Sequence, residues 1–271
     1  MKKSKVLRNY FKKFYDLDVV GMSPAHVLRD FMKKKYDYDS DANGFIGAVE
    51  DMIENDLAPG GSGGDEQFIN LINGTVEEFT ITEDMMADDG YQGKYLWLGD
   101  RLRFCGCQQL TKINGLEYVS LVQNNCFTNT KALKKVDLPN AEVIGSNTSN
   151  PAVKDVIFGG SGVEELSLAS ATTICDGAAN GALSLKYVYA PKARTIGNSF
   201  QGDSKLEHVY IGAECTSIGA AAFGGAGSGG SGLVIDCGFA EGAVSGAPWA
   251  ATGATINYNV PDPGSLEAMK E

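Results

Sequence analysis

The sequence predicts a β-rich repeat solenoid, with one short strand in each repeat of about 20–23 residues, preceded by a small all-α N-terminal domain. Three observations carry this reading. From Leu110 onward the apolar residues recur at one spacing that is neither helical nor simply alternating. Gly is abundant and Pro is not, 34 against 8, with no collagen period, which is the balance that many tight turns produce. The run Pro59-Gly60-Gly61-Ser62-Gly63-Gly64 separates a stretch of helical period from one of strands and turns, and reads as a flexible linker over residues 59–65.

Residues 1–58 form the helical domain in this reading. Leu7, Tyr10, Phe11 and Phe14 make an apolar stripe whose opposite face is rich in Lys. Ser23 is a good N-cap with Pro24 at the first helical position, and Val27, Leu28, Phe31 and Met32 supply the buried side of a second helix. A third, from about Gly47 to Leu57, carries Val49, Met52 and Ile53 and ends at Ala58-Pro59-Gly60. Beyond the linker, Phe68 to Ile81 reads as a hairpin around an Asn73-Gly74 turn.

The repeats then run to about residue 260. Leu133, Val136, Leu138, Pro139, Ala141, Ile144 and Gly145 match Leu185, Val188, Ala190, Pro191, Ala193, Ile196 and Gly197 position for position. Val163, Leu166, Leu168, Ala171 and Ile174 form a third copy, and Leu206, Val209, Ile211, Ile218 and Gly219 a fourth with one residue inserted. Leu110, Ile113 and Leu121 read as a degraded first copy, and Val153, Val156 and Phe158 as a shortened one. An aromatic six residues before the next Leu, in Phe104/Leu110, Phe127/Leu133 and Phe200/Leu206, supports the register. One strand plus a return segment of this length is the unit of a leucine-rich-repeat solenoid: a single unit cannot hide its Leu, Val, Ile and Phe, and stacking hides them in one column. The segment from Leu233 through Pro248-Trp249 to Ile256-Asn257-Tyr258 fits a closing cap, and residues 261–271 are a C-terminal tail.

The pattern Leu-x-x-Val-x-Leu-Pro-x-Ala-x-x-Ile-Gly, with Phe-x-x-x-x-x-Leu between copies and the tail from Gly238-Phe239 to Pro248-Trp249, resembles BspA-like leucine-rich-repeat proteins over roughly residues 66–260. The resemblance implies a non-enzymatic display surface, as in bacterial surface adhesins, expanded protist families and virion components of tailed bacteriophages. The Cys usual between Phe and Leu is present as Cys107, with Thr130 and Asp203 in the corresponding places.

Two sets of candidate site residues stand out. Asp39-Ser40-Asp41-Ala42-Asn43-Gly44-Phe45-Ile46-Gly47-Ala48-Val49-Glu50 matches an EF-hand loop, in which Asp39, Asp41, Asn43, the Phe45 carbonyl and a bidentate Glu50 supply the hard oxygens that calcium needs. The competing reading is an acidic turn whose Asp and Asn residues cap two helices, since EF-hands come in pairs and one is visible. Calcium is the one cofactor suggested, and none is required. On the repeat strands, alternation sends two columns outward: Lys135, Asp155, Glu165, Tyr187, His208 and Asp137, Ile157, Ser167, Tyr189, Tyr210. Tyr187, Tyr189, His208 and Tyr210 gather into a platform for a sugar or protein ligand, or else stack from rung to rung and only stabilise the sheet.

Charge and residue types exclude other classes. The net charge of -11 disfavours nucleic acid, yet residues 1–35 hold ten Lys and Arg against Asp16, Asp18 and Asp30, a local +7 that leaves -18 for the rest. The six Cys lack a Cys-x-x-Cys pair and read as reduced, mostly buried small hydrophobes. His26 and His208 lie in different domains, and no Gly-x-Ser-x-Gly elbow or phosphate loop is present, so no enzyme is expected. Neither a signal peptide nor a membrane-spanning segment is expected. A basic helical module, a linker and a repeat domain together suggest a bacteriophage virion fibre or decoration protein, made in the host cytoplasm and displayed on the virion surface. Residues 1–58 would hold capsid or tail proteins, the repeats would meet a host surface protein or glycan, and a homo-oligomer is compatible with this arrangement. The alternatives are a cellular surface adhesion protein and an intracellular calcium-binding interaction scaffold.

Overall fold

The computed structural model describes residues 71, 74–85, 87–88, 94–98, 102–123, 125–145, 156–230 and 232–271. The helical domain at 1–58, the linker at 59–65 and the calcium-loop candidates Asp39, Asp41, Asn43, Phe45 and Glu50 lie outside them. The chain divides into two compact units, Met1–Val76 and Glu77–Glu271. In the first, Leu71 is helical and the Gly74 N–H donates back to its carbonyl at 3.1 Å, with Gly74 at φ +73°.

The second unit is a solenoid of parallel strands. Strands β4 (Lys112–Asn114), β6 (Lys135–Asp137), β8 (Glu165–Ser167), β10 (Tyr187–Ala190), β12 (His208–Ile211), β14 (Val234–Cys237) and β15 (Thr255–Tyr258) line one side. Those from β6 to β15 form one sheet in the order β15-β14-β12-β10-β8-β6, while β4 pairs instead with β1 (Glu78–Thr80). The opposite side carries β2 (Ala87–Asp88), β3 (Lys94–Leu98), β5 (Val119–Val122), β7 (Val143–Ile144), β9 (Thr173–Ile174), β11 (Thr195–Ile196) and β13 (Ser217–Ile218) in a second sheet, antiparallel only between β2 and β3.

Three expectations are corrected here. Each complete repeat has two strands rather than one, because stacking equivalent return segments also aligns their backbone groups: Ile144 registers with Ile174, and Ile196 with both Ile174 and Ile218. Of the hairpin expected over Phe68 to Ile81, residues 68–70, 72 and 73 lie outside the described residues; β1 pairs in parallel with β4, Phe79 opposite Ile113. In the degraded first copy the buried aliphatic is Val122, which registers with Ile144, and Leu121 is half-exposed. Around residue 157 no outward rung exists: β6 pairs directly with β8, Ile157 is buried, and Asp155 and Val153 lie outside the described residues. This segment supplies a corner but no strand to the long-stranded sheet, its Ile157 carbonyl accepting from the Phe127 N–H at 3.0 Å.

The spine read from the sequence is the core. Leu133, Val136, Ile144, Leu185, Val188, Ile196, Leu206 and Val209 are all buried between the two sheets, each such side chain stabilising by roughly 1.5–3 kcal/mol before the entropy of ordering is subtracted. At the corners runs a column of rings. Phe79 meets Phe104 edge-on at 5.3 Å, Phe104 stacks on Phe127 at 5.7 Å, and Phe127 on Phe158 at 5.3 Å. Ala179 takes the next place, as the corner hydrogen bonds Phe158 N–H to Ala178 and Ala179 N–H to Ser199 require, and the column resumes with Phe200 on Phe223 at 5.3 Å. Trp249, fully buried, closes the end against Phe223 and Phe239. Three residues after Phe104, Phe127, Phe158 and Phe200 lies another interior column, Cys107, Thr130, Ser161 and Asp203, all buried. Cys126, Cys215 and Cys237 are also buried, while Cys105 and Cys175 are half-buried.

Candidate functional site: a face covered by the C-terminal segment

Register places the predicted residues. Lys135, Glu165, Tyr187, His208, Val234 and Thr255 stand opposite one another across β6 to β15, and so do Asp137, Ser167, Tyr189, Tyr210, Asp236 and Asn257. With Val136, Leu166, Val188 and Val209 turned to the core, strict alternation sends both columns to the outer face. Tyr187, Tyr189, His208 and Tyr210 are thereby brought together on two adjacent strands, as expected from the sequence.

They do not form an open platform, which corrects the expectation of an exposed one. Tyr189 and Tyr210 stack at 5.8 Å and are 5% and 2% exposed, because helix α1 (Leu266–Met269) lies on them and buries Leu266 and Met269 in the same cluster. The tail makes this turn for local reasons. Ser265 is extended and its hydroxyl accepts from the Ala268 N–H at 3.1 Å, while Glu267 in the first turn suits the positive end of the helix. Before it, Asp262 Oδ1 accepts from the Tyr189 hydroxyl and from the Gly264 N–H, both at 2.8 Å.

Charged groups surround this apolar centre. Lys270 pairs with Glu165 at 2.8 Å and stands 5.8 Å over the Tyr187 ring, and Lys135 pairs with Glu267. Hydrogen bonds from Lys135 and Lys270 pull the Glu267 carboxyl down to about 2. The Tyr187 hydroxyl donates to Glu207 at 2.7 Å, which raises its pKa, and burial followed by the Asp262 contact raises that of Tyr189. His208 Nε2 lies 2.8 Å from Asp236 Oδ2, whose other oxygen accepts from Asn257 at 2.8 Å. At the edge, hydrogen bonds from Lys186 and then Lys134 draw Glu164 down to about 2. Glu164, Glu165 and Glu267 are thus paired with Lys, while Glu207, Asp236 and Asp262 take hydrogen bonds from Tyr187, Asn257 and Tyr189.

A second feature was missed by the sequence reading. Among the described residues no backbone hydrogen bond joins β4 to β6, although the Ala132 N–H still reaches the Gln108 carbonyl at 3.1 Å just before them and β5 pairs with β7 behind. A groove of about 510 Å³ opens there, lined by both polar and apolar groups, among them Lys112, Asn114, Lys135 and Asp137 with Ile113 and Leu116. The tail contact left a fainter trace in the sequence: Ser265 as a cap before Leu266 and Met269, three residues apart. Among the described residues no group of three or more His, Cys, Asp or Glu is placed to hold a metal, and no helix there is long and apolar enough to cross a membrane.

Residues 103–228 match the family described as BspA type Leucine rich repeat region, in six copies. No curated protein matches the chain, and no solved structure does. The match spans the corners from Phe104 to Phe223 and the strands from β4 to β13, so residues 103–228 of this chain are a BspA-type leucine-rich repeat region.

Proposed function

We propose that this chain is a non-enzymatic interaction scaffold, and more narrowly a bacteriophage virion fibre or decoration protein. In this reading residues 1–58 anchor it to capsid or tail proteins and the repeat domain meets a host surface protein or glycan. BspA-type repeats support the coarser role, since such solenoids work by presenting a surface. The observation that carries the reading is the one-sided face: the same sheet that buries Val136, Leu166, Val188 and Val209 presents registered columns of aromatic and charged groups on its other side. The finer role is motivated by order along the chain, a basic segment, a Gly/Ser linker and then an acidic repeat domain. Mass spectrometry of purified particles tests it: the chain should be present at stoichiometric level, and its absence from particles whose lysate contains it ends the virion reading.

The Asp39–Glu50 loop favours a second reading, a calcium-binding interaction scaffold. Titration calorimetry with calcium on the full chain and on Glu50→Gln decides it. Heat that disappears in the variant supports a bidentate Glu50, and no heat in either chain removes the proposal.

A further inference from the structure

The aromatic face already holds a peptide, which is the chain's own C-terminal segment. Unlike contacts combine to seat it: the Tyr189 hydroxyl on Asp262, Leu266 and Met269 buried on the Tyr189 and Tyr210 rings, and the Lys270–Glu165 and Lys135–Glu267 ion pairs. The segment contributes nothing to the column between the sheets. Its helix has four residues, far short of what holds together alone in water, so it exists only while docked. Removing it would bare two stacked Tyr rings rimmed by charges of both signs, the anatomy of a protein-binding patch. The occupant also spells out the chemistry that fits: an acid to take the Tyr hydroxyl, then a capped turn with Leu and Met three apart that carries an acid between them and a base after them, matching Lys135 and Glu165.

We propose that the Tyr189–Tyr210 face is a peptide-binding site, that residues 260–270 are its intramolecular occupant, and that its partner is a protein segment of the same chemistry that must displace them. The closed fraction of the chain then lowers the partner's apparent affinity, so release of the segment regulates the site. The proposal rests on the interaction reading above only for the existence of an external partner; the experiment below has its own outcome whether or not particles contain the chain.

The probe is a fluorescent peptide with the sequence of residues 260–271, titrated with full-length protein and followed by anisotropy. A Leu266→Ala/Met269→Ala chain, its own segment undocked, should bind the peptide about tenfold or more tighter than the unaltered chain does. Adding Tyr189→Asp to that variant should abolish binding, and a peptide bearing the same two Ala changes should bind neither chain. Asp262→Ala loosens the segment without touching its apolar residues and should give an intermediate gain. Equal binding to the unaltered and double-variant chains, or no binding to a double variant whose urea midpoint matches that of the unaltered chain, overturns the proposal.

Discussion

Two aromatic columns run along this solenoid, and they are buried by different means. Phe104, Phe127 and Phe158 stack within the corners and are covered by the repeats themselves. Tyr189 and Tyr210 stack on the outer face at nearly the same spacing and are covered by Leu266 and Met269 of the tail, with Val260 and Tyr187 packed beside them. The first column is held by every rung above and below it, so losing it costs the fold. The second belongs to a local contact held by few apolar groups, so it is expected to open without the solenoid opening. Similar ring geometry therefore says little about role; what covers the rings says more.

Phe127→Ala should break the inner column with the largest effect, about 3–5 kcal/mol lost in urea unfolding, since a fully buried ring between two others leaves a cavity. Asp203 sharpens the contrast from inside. One of its oxygens accepts from the Ala182 N–H at 2.9 Å and the other is buried without a partner, and burial raises the carboxyl well above its usual range. A raised folded-state pKa means stability that is full below the unfolded value near 3.8 and is lost as pH rises toward the folded value. Asp203→Asn should therefore gain about 1–3 kcal/mol at pH 7 and little below pH 4, measured as urea midpoints across that range.

On the outer column, Tyr189→Phe removes one hydrogen bond from the tail. About 1 kcal/mol should be lost from tail docking, read as faster hydrogen exchange over residues 262–270, with the global urea midpoint unchanged. A global loss matching that of Phe127→Ala would erase the distinction between the columns. Arg194→Ala is the smallest change: its 2.7 Å pair with Glu214 is exposed on both sides, and under about 0.5 kcal/mol should be lost, with little change in high salt.

The sequence reading succeeded where one side chain per turn had one fate. Leu133, Val136, Leu185 and Val188 recur at a spacing that only a stack satisfies, and the Phe-to-Leu interval marks the corners. It failed where local pattern underdetermines pairing. Two-residue strands such as β7 and β9 are too short to show alternation, and Leu121 and Val122 are equally apolar, so register decided between them. Phe158 looked like part of a strand because the corner ring and the strand residues are alike in composition. Asn73-Gly74 carries a strong turn signal, but a parallel partner for β1 lay more than thirty residues on, in β4. The four platform residues were placed on one face correctly, while their cover was invisible, since residues 259–265 had to reverse the chain before Leu266 could meet Tyr210.

Periodicity alone determined that this chain stacks its repeats and, in the complete copies, which residues face the interior and which columns face outward, because burial imposes the same demand at every turn and so repeats in the letters. Only the tertiary structure decided the second sheet, the gap between β4 and β6, and the occupation of the Tyr189–Tyr210 face. Each of these depends on a contact made once, between segments far apart in the chain, and a contact made once leaves no period to read.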